Sequence, residues 1–115
     1  MEFVVTYRAV EDLLPLARQH GPAHLARLHE FRDRGLLLMA GTLDEPVNGD
    51  AMGVFTTREA AEEFIAGDPF VRHGVVAEWT VRPWNEVLAP WASPRRVIRR
   101  RPGTVQPPPG HPICR

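Results

Sequence analysis

Gly21-Pro22-Ala23-His24-Leu25-Ala26-Arg27-Leu28-His29-Glu30-Phe31-Arg32-Asp33-Arg34-Gly35-Leu36-Leu37-Leu38-Met39-Ala40-Gly41 reads as a helix followed by a strand. Pro22 suits the first helical position, where its missing N–H costs nothing, and Gly35 suits the stop. On a helical wheel His24, Leu25, Leu28 and Phe31 are read on one face, with Arg27, Glu30 and Arg34 on the other. Leu36 to Gly41 then runs apolar on both sides, as a strand covered on both faces would.

Outward from this pair, Glu2 to Tyr7 is rich in β-branched and aromatic residues and reads as a first strand. Between them, residues 10–20 form at most a helical turn or two, because Pro15 opposes a long regular helix. After Gly41, the run Asp44-Glu45-Pro46 and Asn48-Gly49-Asp50 marks a loop over Thr42 to Asp50. Ala51 to Phe55 is a short third strand. Thr56 and Glu59 have capping-box spacing and open a second helix, with Ala61, Phe64 and Ile65 on its apolar face and Gly67 at its end. Asp68-Pro69-Phe70 makes a tight turn or a short helical start, and Val75 to Trp84 is a long fourth strand.

The order strand, helix, strand, strand, helix, strand predicts an α+β, ferredoxin-like βαββαβ fold with a four-stranded antiparallel sheet and both helices on one face. The strands look apolar on both sides, so the uncovered face would be a large exposed patch. Pairing two sheets face to face removes it, which predicts a homodimer.

The chain has 115 residues, 43% hydrophobic and 24% charged, enough for one globular domain. The expected boundary falls after residue 88. The first 90 residues hold all the acids, whereas 91–115 hold six of the 14 arginines and six prolines. That composition predicts a mobile Arg/Pro-rich tail over 89–115, read as solvated rather than as a nucleic-acid surface. The arginine bias, with no lysine anywhere, is read as compositional. One cysteine, Cys114, permits no internal disulfide, and neither a signal peptide nor an apolar run of membrane-spanning length is read. The expected compartment is the cytoplasm.

His24 stands on the apolar stripe of its helix, where a polar group needs a partner. A structural histidine bonded to a backbone carbonyl is the plain alternative to a proton-transfer residue. Asp68 is the partner candidate, since it follows the second helix directly. An Asp before Pro is also a ready N-cap, and one carboxylate oxygen can cap while the other holds an imidazole. A carboxylate in that place fixes the tautomer of the ring. His20 is read as separated from His24 by the break at Gly21-Pro22, and His29 points elsewhere, so no metal site is assigned. His73 is read at the surface. His111 and Cys114 lie in the tail.

The residues Arg18, Pro22-Ala23-His24-Leu25, Gly35, Gly41, Asp68-Pro69-Phe70, Gly74 and Val81-x-Pro83 together resemble the YciI-like (YCII-related) family over about residues 1–88. The resemblance implies a dimeric α+β barrel with His24 and Asp68 as an active-site dyad. Most members of the family have no established activity, and a chlorinated hydroxyhydroquinone dehydrochlorinase is among the few with an assigned reaction. This chain has Gly41-Thr42 where family members often carry Gly-Pro. The expectation that results is a lyase or isomerase acting on a small cyclic or aromatic metabolite without a cofactor. His24 acts as base or acid, Asp68 orients it, and Gly41, Phe70 and Trp79 shape the pocket. A non-catalytic small-molecule binder and a cofactor-free monooxygenase are the rival readings.

Overall fold

The computed structural model describes residues 1–88, and its compact unit is Met1–Asn85. The expected tail 89–115 lies outside the described residues. The elements are β1 (Glu2–Ala9), α1 (Leu13–Asp33), β2 (Leu37–Thr42), β3 (Ala51–Phe55), α2 (Arg58–Gly67), α3 (Pro69–Arg72) and β4 (Val76–Trp84). The strands form one antiparallel sheet in the order β2-β3-β1-β4, the ferredoxin-like arrangement expected from the sequence.

Register decides which residues face the helices. Val5 lies opposite Gly53 and Val81, and Tyr7 opposite Ala51 and Trp79. Val5, Tyr7, Leu37, Phe55 and Val76 pack with Phe31, Ala60, Ala61, Phe64 and Ile65 in one core. The ring of Phe31, fully buried, meets Phe55 and Phe64 edge-on at centroid separations of 6.4 and 5.2 Å. Such edge-to-face pairs add to the burial of three large rings.

The first helix is longer than the sequence predicts. It begins at Leu13 and runs unbroken through Gly21 and Pro22. Pro15 is its third residue, where the backbone N–H would have had no intrahelical partner. Pro22 and Arg18, whose carbonyl loses its donor, are both exposed, so solvent can serve that carbonyl. The early turns are held from below: Leu13, Leu16, Ala17 and His20 are half-buried. Gly49, at φ +89°, lets the β2–β3 loop close on the start of α1, since a Cβ there would stand 2.9 Å from Leu13 and Ala9. Packing thus overrides the local break. At the far end Gly35 N–H donates to Arg32 O at 2.9 Å and Leu36 N–H to Phe31 O at 3.0 Å, with Gly35 at φ +76°, a Schellman stop.

Two details of the wheel change. Leu25 is 53% exposed, and Arg27 turns inward. At 100° per residue Leu25 lies about 100° from His24, while Arg27 is only about 60° away. The Arg27 guanidinium donates to the carbonyls of Phe64 (3.1 Å) and Glu63 (2.7 Å), near the C-terminal end of α2. It also stacks over Phe31 and Phe64. Gly67 makes room for it, because a Cβ there would lie 2.5 Å from the guanidinium. The N-cap of α2 is Thr57 rather than Thr56, its hydroxyl accepting from Ala60 N–H at 3.0 Å.

The sheet face away from the helices is less apolar than expected. Alternation places Val4, Met39 and Val54 there, but also Thr6 against Thr80 and an Arg8–Glu78 ion pair at 2.7 Å.

Candidate active site

Asp68 owes its position to Pro69. A residue before proline is pushed out of the helical region, and Asp68 is extended at φ −69°, ψ 123°. It therefore ends α2 and begins α3 in one step. Its Oδ1 accepts from Phe70 N–H at 3.1 Å as the N-cap, and its backbone carbonyl accepts from Val71 and Arg72.

The same carboxylate holds two side chains. His24 Nδ1 lies 2.7 Å from Oδ1, and the Tyr7 hydroxyl donates to Oδ2 at 2.7 Å. Asp68 is fully buried and Tyr7 nearly so, while the His24 side chain keeps 18% of its surface. Three elements that are far apart in sequence meet here: β1 through Tyr7, α1 through His24, and the α2–α3 junction through Asp68.

An ionised Asp68 can only accept, so with Tyr7 O–H and Phe70 N–H donating to it the donor inventory assigns His24 the role of Nδ1–H donor. The lone pair of the neutral ring then lies on Nε2, which has no partner among the described residues. Burial, then the negative charge of Asp68 and its hydrogen bond, push the Tyr7 phenol well above its ordinary value, against a smaller opposing pull from Arg27. Tyr7 thus stays a proton donor to Asp68 throughout the neutral range.

The Phe70 ring lies flat on the His24 imidazole, 3.9 Å between centroids and 7° from parallel. One turn back along α1, His20 stacks on His73 in the same manner, at 4.0 Å and 3°. So α1 does carry both His20 and His24, contrary to the break expected at Gly21-Pro22, and the His20 ring packs on His73, the C-cap of α3. No three His, Cys, Asp or Glu side chains converge on a metal position among the described residues. His29 is exposed.

A pocket of about 130 Å³ opens between α1 and the sheet. His24, Tyr7, Phe64 and Phe55 are among the residues that line it, with Ala40, Gly53 and Ala51 from the sheet. Gly41, expected there, is among its lining residues. Phe70 is not, and reaches the pocket only through the imidazole it stacks on. Trp79 is also outside the lining: it stands on the edge strand β4, 47% exposed, while the pocket lies over β1, β3 and β2.

The YCII-related domain family matches residues 1–85. The chain belongs to that family. The YciI proteins of Escherichia coli O6:H1 and Shigella flexneri are each 31% identical to it over 98 residues, covering 76% of this chain and all of theirs. Among solved structures, 5-chloro-2-hydroxyhydroquinone dehydrochlorinase from Burkholderia phenoliruptrix AC1100, in complex with 2,5-dihydroxybenzoquinone, aligns over 74% of this chain and 94% of its own. Its TM-score is 0.61 and its identity 19%. At that identity the likeness shows the α+β fold alone.

In this YCII-related protein Tyr7 is the residue that sequence reading passes over. It appeared only as the last residue of a strand. Its signal was its inward parity on a strand with Val5, together with a hydroxyl that burial obliges to find an acceptor. Arg27 was missed for a different reason: the acceptors it serves are backbone carbonyls, which carry no sequence signature.

Proposed function

We propose that this YCII-related protein is a small-molecule enzyme of lyase or isomerase type, in which His24 transfers a proton and Asp68 orients it. The observation that carries this is the 2.7 Å bond between His24 Nδ1 and a fully buried carboxylate, on a ring that lines an open apolar pocket. A substrate C–H or O–H brought to Nε2 gives up its proton to the lone pair there. Asp68 steadies the imidazolium that forms, and its own charge is held in place by Tyr7 O–H and Phe70 N–H. The substrate anion then expels a leaving group, or accepts the proton back at another atom. The pocket's aliphatic and aromatic lining suits a small cyclic or aromatic metabolite, and the similar dehydrochlorinase, crystallised with a dihydroxybenzoquinone, supports that class.

The assembly belongs to the same proposal. Half-exposed Met39 and partly buried Val4 give the sheet face away from the helices apolar surface that a second copy would cover, forming a homodimeric barrel. The ion pair and the threonine pair beside it would then lie at the interface. Cytoplasmic residence is the accompanying expectation. No described helix is long and apolar enough to cross a membrane.

The test is proton exchange. Small cyclic carbon acids are incubated with the protein in heavy water and followed by proton NMR. The wild type is expected to catalyse exchange, and His24→Ala and Asp68→Asn to lower it by about 10²–10⁴-fold, the usual worth of a positioned acid–base group. If ligands bind in the pocket but both variants exchange as fast as the wild type, the protein is a binder and the mechanism is wrong.

A further inference from the structure

Thirteen residues line the pocket, and only Tyr7, His24 and Thr42 bring a hydroxyl or a ring nitrogen to it. The Tyr7 proton is already given to Asp68. Two side-chain groups remain free to meet a ligand: His24 Nε2 and the Thr42 hydroxyl, which has no partner among the described residues.

Register places these two at opposite ends. Thr42 pairs with Ala51 across β2 and β3, and Ala51 pairs with Tyr7 across β3 and β1. The three residues form one row on the helix side of the sheet. With strands about 4.8 Å apart, Thr42 stands roughly 10 Å from Tyr7 along that row. His24 shares Asp68 with Tyr7, so it belongs to the Tyr7 end. Ala51 lies between them, and the next row of the sheet on the same face carries Ala40 and Gly53, so the pocket has a low floor there. At Gly53 even a Cβ would come within 3.3 Å of the Phe55 ring, so that position stays small.

We infer that Thr42 is a specificity-determining residue: it hydrogen-bonds a second polar group of the ligand, across the ring from the atom that faces His24. The inference rests on the proposed proton-transfer site and narrows its substrate class to small rings with polar groups on opposite sides. A ring with one polar group leaves the Thr42 hydroxyl to water and gains nothing from it. Thr42 takes no part in the proton transfer, so it acts on affinity and KM rather than on kcat.

The probes are phenol and hydroquinone, which differ by one hydroxyl across the ring. Their dissociation constants are measured by NMR titration of the wild type, of Thr42→Val and of Thr42→Ser. Hydroquinone is expected to bind the wild type about fivefold more tightly than phenol, the worth of one neutral hydrogen bond. Thr42→Val erases that preference and leaves phenol unchanged, and Thr42→Ser restores it. A preference that persists in Thr42→Val, or that is absent from the wild type, overturns the role of Thr42 while leaving the proton-transfer site standing. Failure of both probes to bind, or binding that leaves the His24 resonances unmoved, overturns the proposed site and this inference with it.

Discussion

An Asp68→Ala variant is expected to unfold about 3–5 kcal/mol more easily than the parent, read by urea denaturation. The figure follows from what the carboxylate holds. Loss of the N-cap on α3 costs about 1 kcal/mol. The Tyr7 hydroxyl, buried and without an acceptor, adds about 1–3 kcal/mol, and freeing His24 Nδ1 adds to it. The opposing effect is relief of a desolvated charge. Desolvation of a fully buried carboxylate is a matter of several kcal/mol, but here three donors already offset it. Removing the acceptor alone therefore leaves the donors' cost uncompensated. The double variant Tyr7→Phe/Asp68→Ala removes the orphaned hydroxyl as well, so the two losses should fall short of additivity by about 1–2 kcal/mol. An Asp68→Ala protein as stable as the parent would mean that the carboxylate is not what joins these elements.

The second large effect is alkaline. Tyr7 is the only tyrosine in the chain, so tyrosinate absorbance reports on it alone. The folded protein is expected to show none until it unfolds, because burial and the adjacent Asp68 charge hold the phenol protonated. The sign for stability follows from proton counts. Below about pH 10 the phenol is protonated in both states, and its stabilising share is fully present. Above that, the unfolded chain sheds the proton and the folded one keeps it, so the unfolded state binds fewer protons and stability falls. The slope is about 1.4 kcal/mol per pH unit from this group. Tyr7→Phe should flatten that limb of the pH profile. A smooth tyrosinate titration near pH 10 in folded protein would place the phenol in water.

Local signals carried most of the architecture. Gly35 stops α1 and Asp68-Pro69 starts α3 because both act through backbone preferences that depend on neighbouring residues alone. Strand order followed from counting elements, and His24 and Asp68 were legible because each has a polar group where the pattern demands an apolar or capping one. The remainder was set by contacts distant in sequence. Nothing local to Pro22 announces that the turns on either side will be packed down and the helix kept whole. The inward swing of Arg27 depends on the last turn of α2, some 40 residues away. Tyr7 became part of the site only because β1 lies centrally in the sheet, next to the α2–α3 junction. Thr57 displaced Thr56 as the cap by one residue, a shift that two adjacent threonines cannot resolve from composition.

His24 matters to this account through one atom, Nε2, kept bare and basic toward the pocket because Nδ1 donates its proton to Asp68. Long-range proton–nitrogen NMR correlations of the imidazole, recorded where the ring is neutral, read that tautomer directly. A protonated Nδ1 and a bare Nε2, lost in Asp68→Ala, is the expected pattern. A neutral ring protonated at Nε2, or one averaging between tautomers as a free histidine does, would contradict it.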